Sequence, residues 1–181
     1  MAGCLKRWHS WSHVREQTVA DHSWHVMRIL LAVWPEAPRE LLVHCLVHDV
    51  GEIGTGDMPY PVKKDNPVLK READRIEGDT HLSMCIPWGL PSAQPMPALW
   101  KDVFKLAEFV EMWEDAQHEL MMGNRFCQPV ADRCWSEIDE RAEALAAHEP
   151  EIAGRASWYC ARRRREWGLS ETTVSRFGRV E

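Results

Sequence analysis

The six cysteines (Cys4, Cys45, Cys85, Cys127, Cys134 and Cys160) include no C-x-x-C pair, so the paired-thiol pattern of zinc ribbons and dithiol redox sites is missing. No apolar run is long enough to span a bilayer, because Arg28, Pro35, His44 or Asp49 interrupts each candidate. Nothing before Arg7 has the apolar stretch of a signal peptide, and the thiols therefore read as reduced side chains of a cytoplasmic protein, in the host cytoplasm if a phage encodes it. Net positive charge is also lacking: 22 Lys and Arg against 28 Asp and Glu leave −6. That balance argues against a general nucleic-acid binder, since phosphate backbones are held by clustered Lys and Arg. It leaves room for a small anion in a local basic pocket. No segment alternates apolar and polar residues, and no repeat is visible, which excludes strand-built and solenoid architectures.

What is present is the text of one helical domain. The 181 residues, 45% hydrophobic and 28% charged, suffice for a single core of ordinary size. From Val19 to Val33 the residues Val26, Ile29, Leu30 and Val33 fall at helical spacing, and His22 lies on the same stripe. A second helix is expected from about Arg39 to Val50, stopping at Gly51, with His48 and Asp49 in its last turn. Gly51 to Pro67 reads as loop with at most a short helical turn, and Val68 to Met84 as a solvated amphipathic helix. The cluster Pro87, Pro91, Pro95, Pro97 reads as a surface connection. Further helices are expected from Ala98 to about Met122, Asp132 to Ala147 and Ile152 to Trp167. The fold class is all-α.

Imidazole nitrogen and carboxylate oxygen together suit divalent transition metals such as Co, Mn or Zn. His22 and the adjacent pair His48-Asp49, placed at the ends of consecutive helices, have that donor chemistry. The other histidines, His9, His13, His25, His44, His81, His118 and His148, have no such context, and His44 reads as a packed neighbour of His48. The run Arg162 to Arg165, among Trp158, Tyr159 and Trp167, reads as a solvated helix face or a subunit contact.

A longer text surrounds the pair: Arg7-Trp8, then Gln17-Thr-Val-Ala-Asp-His22-Ser23, then Val47-His48-Asp49-Val50-Gly51-Glu52, then Thr55-Gly56-Asp57-Met58-Pro59-Tyr60-Pro61-Val62-Lys63. In order and spacing it resembles the HD-domain 5′-deoxynucleotidases of the YfbR type, over about Arg7 to His148. It resembles equally the phage HD hydrolases that act as dATP triphosphohydrolases. The resemblance implies an HD-domain helical bundle over residues 1–150 with a buried metal site, followed by an Arg-rich helical extension over 151–181 that packs on the same domain or on a partner subunit. It implies His22, His48 and Asp49 as ligands of a divalent transition metal. A fourth carboxylate is implied by the family's Lys-x-x-Asp pattern, which reads here Lys105-Leu-Ala-Glu108. Glu108 is the expected ligand; Glu111, deeper in the apolar stripe, is the alternative.

Glu52, one turn beyond His48, is expected to act on water rather than bind metal. Arg7, Lys63 and Lys105 are expected to meet phosphate, Asp57 the sugar 3′-hydroxyl, and Trp8 either the base or the core. The implied substrate is a small deoxynucleotide, with no membrane or nucleic-acid partner and with assembly as a homo-oligomer. The Gln-Thr-Val approach to His22 and the several cations favour a dNTP triphosphohydrolase. The alternatives are a 5′-deoxynucleotidase acting on dNMP and a non-catalytic module that keeps the HD fold.

Overall fold

A computed structural model describes residues 2–8, 12–90 and 96–169 of the chain. His9, Trp11, Pro91, Pro95 and residues 170–181 of the expected extension lie outside the described residues. Among the described residues seven α-helices follow in order: α1 Val19–Val33, α2 Arg39–Val47, α3 Tyr60–Asp65, α4 Pro67–Cys85, α5 Ala98–Met121, α6 Gln128–Ala146 and α7 Pro150–Glu166. Short 3₁₀ turns separate several of them. Among the described residues the only extended pairing is a bridge between Lys6 and Thr18, and no helix is long and apolar enough to cross a membrane. The architecture is an all-helical bundle.

Helix α1 begins where its sequence says it must. Thr18 caps it, accepting from the Asp21 backbone N–H, while the Asp21 carboxylate reaches back to the Thr18 N–H, a reciprocal arrangement that satisfies two otherwise orphaned donors. The next residue is His22, which thereby falls on the inner face with Val26, Ile29 and Leu30, all fully buried. At roughly 1.5–3 kcal/mol per buried aliphatic side chain, that stripe outweighs the cost of burying one hydrogen-bonded imidazole.

Helix α2 ends at Val47, earlier than the sequence pattern suggests, and the chain tightens into a 3₁₀ turn over Val50–Ile53. Gly51 supplies the reason. A side chain there would run into the backbone carbonyl of Glu77 in α4, so only glycine lets the turn lie directly against that helix. His48 and Asp49 consequently sit on a bend rather than in a regular last turn. Helix α6 starts at Gln128 rather than near Asp132, because Pro129 takes the first turn, where its missing N–H costs no helical bond.

Helix α5 is the central element. It packs on α1 and α6, and its buried side chains include Val103, Leu106, Val110 and Trp113 but also Glu111, Glu114, Asp115 and Glu119. The core continues into α7 through Ile152, Ala156 and Cys160.

Candidate metal centre

Three segments bring their polar atoms to one point. His22 comes from the first turn of α1, His48 and Asp49 from the bend after α2, and Glu108 from α5. His22 Nε2 lies 3.6 Å from Asp49 Oδ2, His48 Nε2 lies 3.1 Å from the same oxygen, and His48 Nε2 lies 3.7 Å from Glu108 Oε1. Donor atoms of His22, His48 and Glu108 all fall within 4.8 Å of one another.

The other ring nitrogens are committed elsewhere. His22 Nδ1 is 2.6 Å from Glu111 Oε2, and His48 Nδ1 donates to the Cys45 carbonyl at 2.8 Å. A carboxylate or carbonyl on one imidazole nitrogen is the arrangement that fixes a metal ligand's tautomer and orientation. Both Nε2 atoms thus face the carboxylates, and His48 Nε2 is buried without a hydrogen-bond partner. Two imidazoles and two carboxylates at these separations fit a divalent transition metal. Glu111, the alternative fourth carboxylate, stands behind His22 on the far side of the ring.

The electrostatics follow from crowding four carboxylates into a buried space. Burial opposes the charge of Asp49, yet His48, His22 and Arg7 hold its pKa well below the ordinary carboxylate range. Glu52 goes the other way, pushed up to about 8 by burial and by the charges of Asp49 and Asp57. Its Oε2 is buried with no hydrogen-bond partner. Arg7 is buried too, but Glu111, Asp49, Asp57 and Glu52 around it raise its pKa above the ordinary value.

Gln17 ties these groups together. Its backbone carbonyl accepts from Arg7 N at 2.8 Å, and its side chain is 2% exposed. Its Nε2 donates to Glu111 Oε1 at 2.5 Å, while its Oε1 accepts from Trp8 Nε1 at 3.1 Å and Arg7 Nη1 at 3.5 Å. A continuous path therefore runs from His22 through Glu111 and Gln17 to Arg7 and Trp8. Nothing in the sequence pattern gives Gln17 a role; an amide directly before the capping Thr18 is the signal it offers.

Trp8 has a left-handed backbone, φ 60°, a conformation that costs about 1–3 kcal/mol in a non-glycine residue. Its N–H donates to Asp57 Oδ2 at 3.1 Å, and its ring stacks on His13 with centroids 5.0 Å apart. Asp57 follows Gly56, whose φ of 78° makes the turn. The two lysines are less available. Lys63 donates to Glu77 at 2.9 Å, and Lys105 pairs with Glu108 at 2.5 Å. His44 packs edge-on to Phe104, 4.8 Å between centroids. In the arginine run, Arg163 binds Glu114 and Glu166 and lies over Trp167, and Arg164 lies over Trp135.

Comparison with known proteins agrees with this arrangement. A family model described as 5′-deoxynucleotidase YfbR-like matches residues 3–148. A 5′-deoxynucleotidase of Pasteurella multocida is 29% identical over 139 residues, covering 67% of this chain and 71% of that protein. One from Photorhabdus laumondii is 32% identical over 82 residues, 40% of this chain and 42% of the relative. Among solved structures, the HD phosphohydrolase DatZ of cyanophage S-2L, described as bound to dA and one catalytic Zn²⁺ ion, superposes with a TM-score of 0.62 at 18% identity, covering 91% of this chain and 93% of that one. An HD-domain phosphohydrolase of Listeria innocua gives 0.61 at 17% identity, covering 92% and 84%. The chain belongs to the YfbR-like 5′-deoxynucleotidase family of HD-domain, metal-dependent phosphohydrolases.

Proposed function

We propose that the protein hydrolyses 2′-deoxynucleoside 5′-monophosphates to deoxynucleoside and phosphate, with His22, His48, Asp49 and Glu108 holding one divalent transition metal. The observation that carries this is the convergence of two imidazole Nε2 atoms, each oriented through its Nδ1, on Asp49 and Glu108. Family membership and the 5′-deoxynucleotidases among the relatives support the monophosphate over the triphosphate that the Gln-Thr-Val text favours. The cations agree with it: Lys63 and Lys105 are paired with Glu77 and Glu108, which leaves Arg7 as the cation assigned to phosphate. DatZ resembles this chain at a level that speaks for the fold alone, though its Zn²⁺ agrees with a zinc-type ion here.

When bound, such an ion supplies Lewis-acid polarisation of a phosphoryl oxygen and a lowered pKa for water. The chain's own residues do the rest. Arg7, with Nε buried and unpartnered, donates to the phosphate. Glu52 takes the proton of the attacking water, a contribution of ~10²–10⁴-fold in rate. Asp57, with one oxygen held by the Trp8 N–H, offers the other to the sugar 3′-hydroxyl and crowds a 2′-hydroxyl. Trp8 orients Asp57 through its strained backbone, and its ring sits beside the base.

The test is product analysis on dAMP, AMP, dATP and ATP with Mn, Co and Zn. Orthophosphate from dAMP, with AMP turned over far more slowly, is expected. Triphosphate release from dATP with dAMP untouched would restore the triphosphate reading. Absence of both bound metal and turnover would favour a non-catalytic module. Glu52→Ala is expected to keep metal and substrate binding while losing ~10²–10⁴ in kcat, and Asp57→Ala to narrow the dAMP-to-AMP ratio of kcat/KM.

A further inference from the structure

A second group of ligand-type side chains lies further along α5, apart from the metal centre. Asp115 and Glu119 are on α5, 2% and 0% exposed. Cys127, a free buried thiol, ends the 3₁₀ turn Arg125–Cys127, and His13 comes from the segment before α1. The His13 ring is nine-tenths buried. It presents Nδ1 to Glu119 Oε1 at 3.6 Å and to Asp115 Oδ2 at 3.9 Å, and Nε2 to Cys127 Sγ at 3.8 Å. One donor atom each from His13, Glu119 and Cys127 lie within 4.8 Å of one another.

Two observations mark this cluster as a ligand site. His13 Nδ1 and Asp115 Oδ2 are both buried without a hydrogen-bond partner and face each other, a costly arrangement for polar atoms in a folded core. The Nδ1 separations of 3.6 Å to Glu119 and 3.9 Å to Asp115 are too long for hydrogen bonds yet close to the spacing of roughly 3.3–3.8 Å between donors that bond lengths of about 2.0–2.3 Å give in a tetrahedral zinc site, and Cys127 Sγ completes a set of one donor per residue within 4.8 Å. Glu119 already accepts from Val14 N, Arg15 N and Asn124 Nδ2, but a carboxylate has about four lone-pair sites, so one remains. Those three donors fix its orientation as outer-shell partners fix a ligand.

We propose that His13, Glu119 and Cys127, with Asp115 beside them, form a second divalent-cation site of the zinc type that anchors the Arg7–Trp8 segment. Binding replaces the S–H bond of Cys127 with a sulfur–metal bond and releases the proton to solvent. The charges then balance: two carboxylates, one thiolate, Arg15 on Asp115 and a divalent cation sum to zero. The site acts on the reaction centre at second hand. His13 stacks on Trp8, and the Trp8 N–H holds Asp57, so fixing the imidazole fixes the segment that carries both. None of this depends on the substrate assigned above.

Cobalt separates this site from the first, whose proposed ligands include no sulfur. Full-length protein loaded with Co²⁺ is expected to show a thiolate-to-cobalt charge-transfer band in the near ultraviolet. The band should saturate at one thiolate-bound Co²⁺ per chain, persist in His48→Ala and vanish in Cys127→Ser, which should lose one equivalent of bound metal. X-ray absorption of the Zn²⁺-loaded wild type should show a sulfur neighbour at about 2.3 Å. That measurement needs no variant, so it decides the matter even if Cys127→Ser fails to fold. No charge-transfer band and no sulfur neighbour at saturating metal would overturn the proposal and leave His13 as a packed neighbour of the two carboxylates. A band unchanged in Cys127→Ser would overturn it equally.

Discussion

Two of the buried polar clusters on helix α5 lie a single turn apart and are built on opposite principles. Around Glu114 every contact is closed: Tyr159 OH at 2.6 Å, Arg28 Nη2 at 2.7 Å and Arg163 Nε at 2.7 Å. Three helices, α1, α5 and α7, are joined there by a carboxylate with its donors in place. Around Glu108 and Glu111 the pattern is open. His48 Nε2 and Glu52 Oε2 are buried without partners, and burial together with the charges of Asp49 and Asp57 opposes ionisation of Glu52. A closed cluster has finished its work when the chain has folded. An open one carries unsatisfied polar atoms that a ligand can satisfy, at a cost in stability.

The largest test of that contrast is Asp49→Ala. It should abolish metal binding at the centre and cut turnover by ~10³-fold or more, while the helical circular-dichroism signal holds and the melting temperature of the metal-free protein falls less than in a Glu114 variant, because only the favourable contacts of Asp49 with His48, His22 and Arg7 are lost. A melting temperature that falls as far as that of a Glu114 variant would break the comparison. Glu114→Ala is the mirror experiment. Denaturant unfolding should show a loss of about 2–4 kcal/mol, near the lower end for a broken buried ion pair because Arg28 and Arg163 keep some contact with solvent. Metal stoichiometry at the Glu108 centre should not change.

Smaller effects sharpen the picture. Glu111→Gln keeps the shape of the residue behind His22 but weakens its hold on the ring, so metal affinity should drop by about 10–100-fold, read by competition with a chelating dye. An undiminished affinity would show that Glu111 only fills space. The smallest concerns Glu52 in metal-free protein. Its folded-state pKa of about 8 lies above the ordinary carboxylate value, so between those values the folded chain binds more protons than the unfolded one. Stability therefore falls as pH rises through that window. Glu52→Gln removes the effect, and its melting temperature relative to wild type should climb by several degrees between pH 5 and pH 8.

Much of the fold was legible because its signals are local. The Thr18–Asp21 cap, the stripe at Val26, Ile29 and Leu30, and the glycine and proline punctuation all act within a few residues. The end of α2 was misplaced because the collision that requires Gly51 comes from Glu77, which is remote in sequence. Of the groups that converge at the candidate metal centre, His22 and the adjacent His48-Asp49 pair stand out in the sequence by their residue types and order. Gln17 and the true place of Glu111 do not. Both depend on how α1 lies against α5.

By itself the sequence determined an all-helical chain, the family text from Arg7 to Lys63, and the ligand types a metal would meet. Tertiary structure alone decided how the acidic residues of α5 divide their work. Glu108, Glu111, Asp115 and Glu119 recur at helical spacing on one side of a single helix and look interchangeable as letters. Packing sets them apart: Glu108 faces His48, Glu111 backs His22, Asp115 holds Arg15, and Glu119 receives the backbone of Val14 and Arg15. The physical reason is that a buried carboxylate takes its role from the donors that reach it, and those donors arrive from segments 60 to 105 residues away.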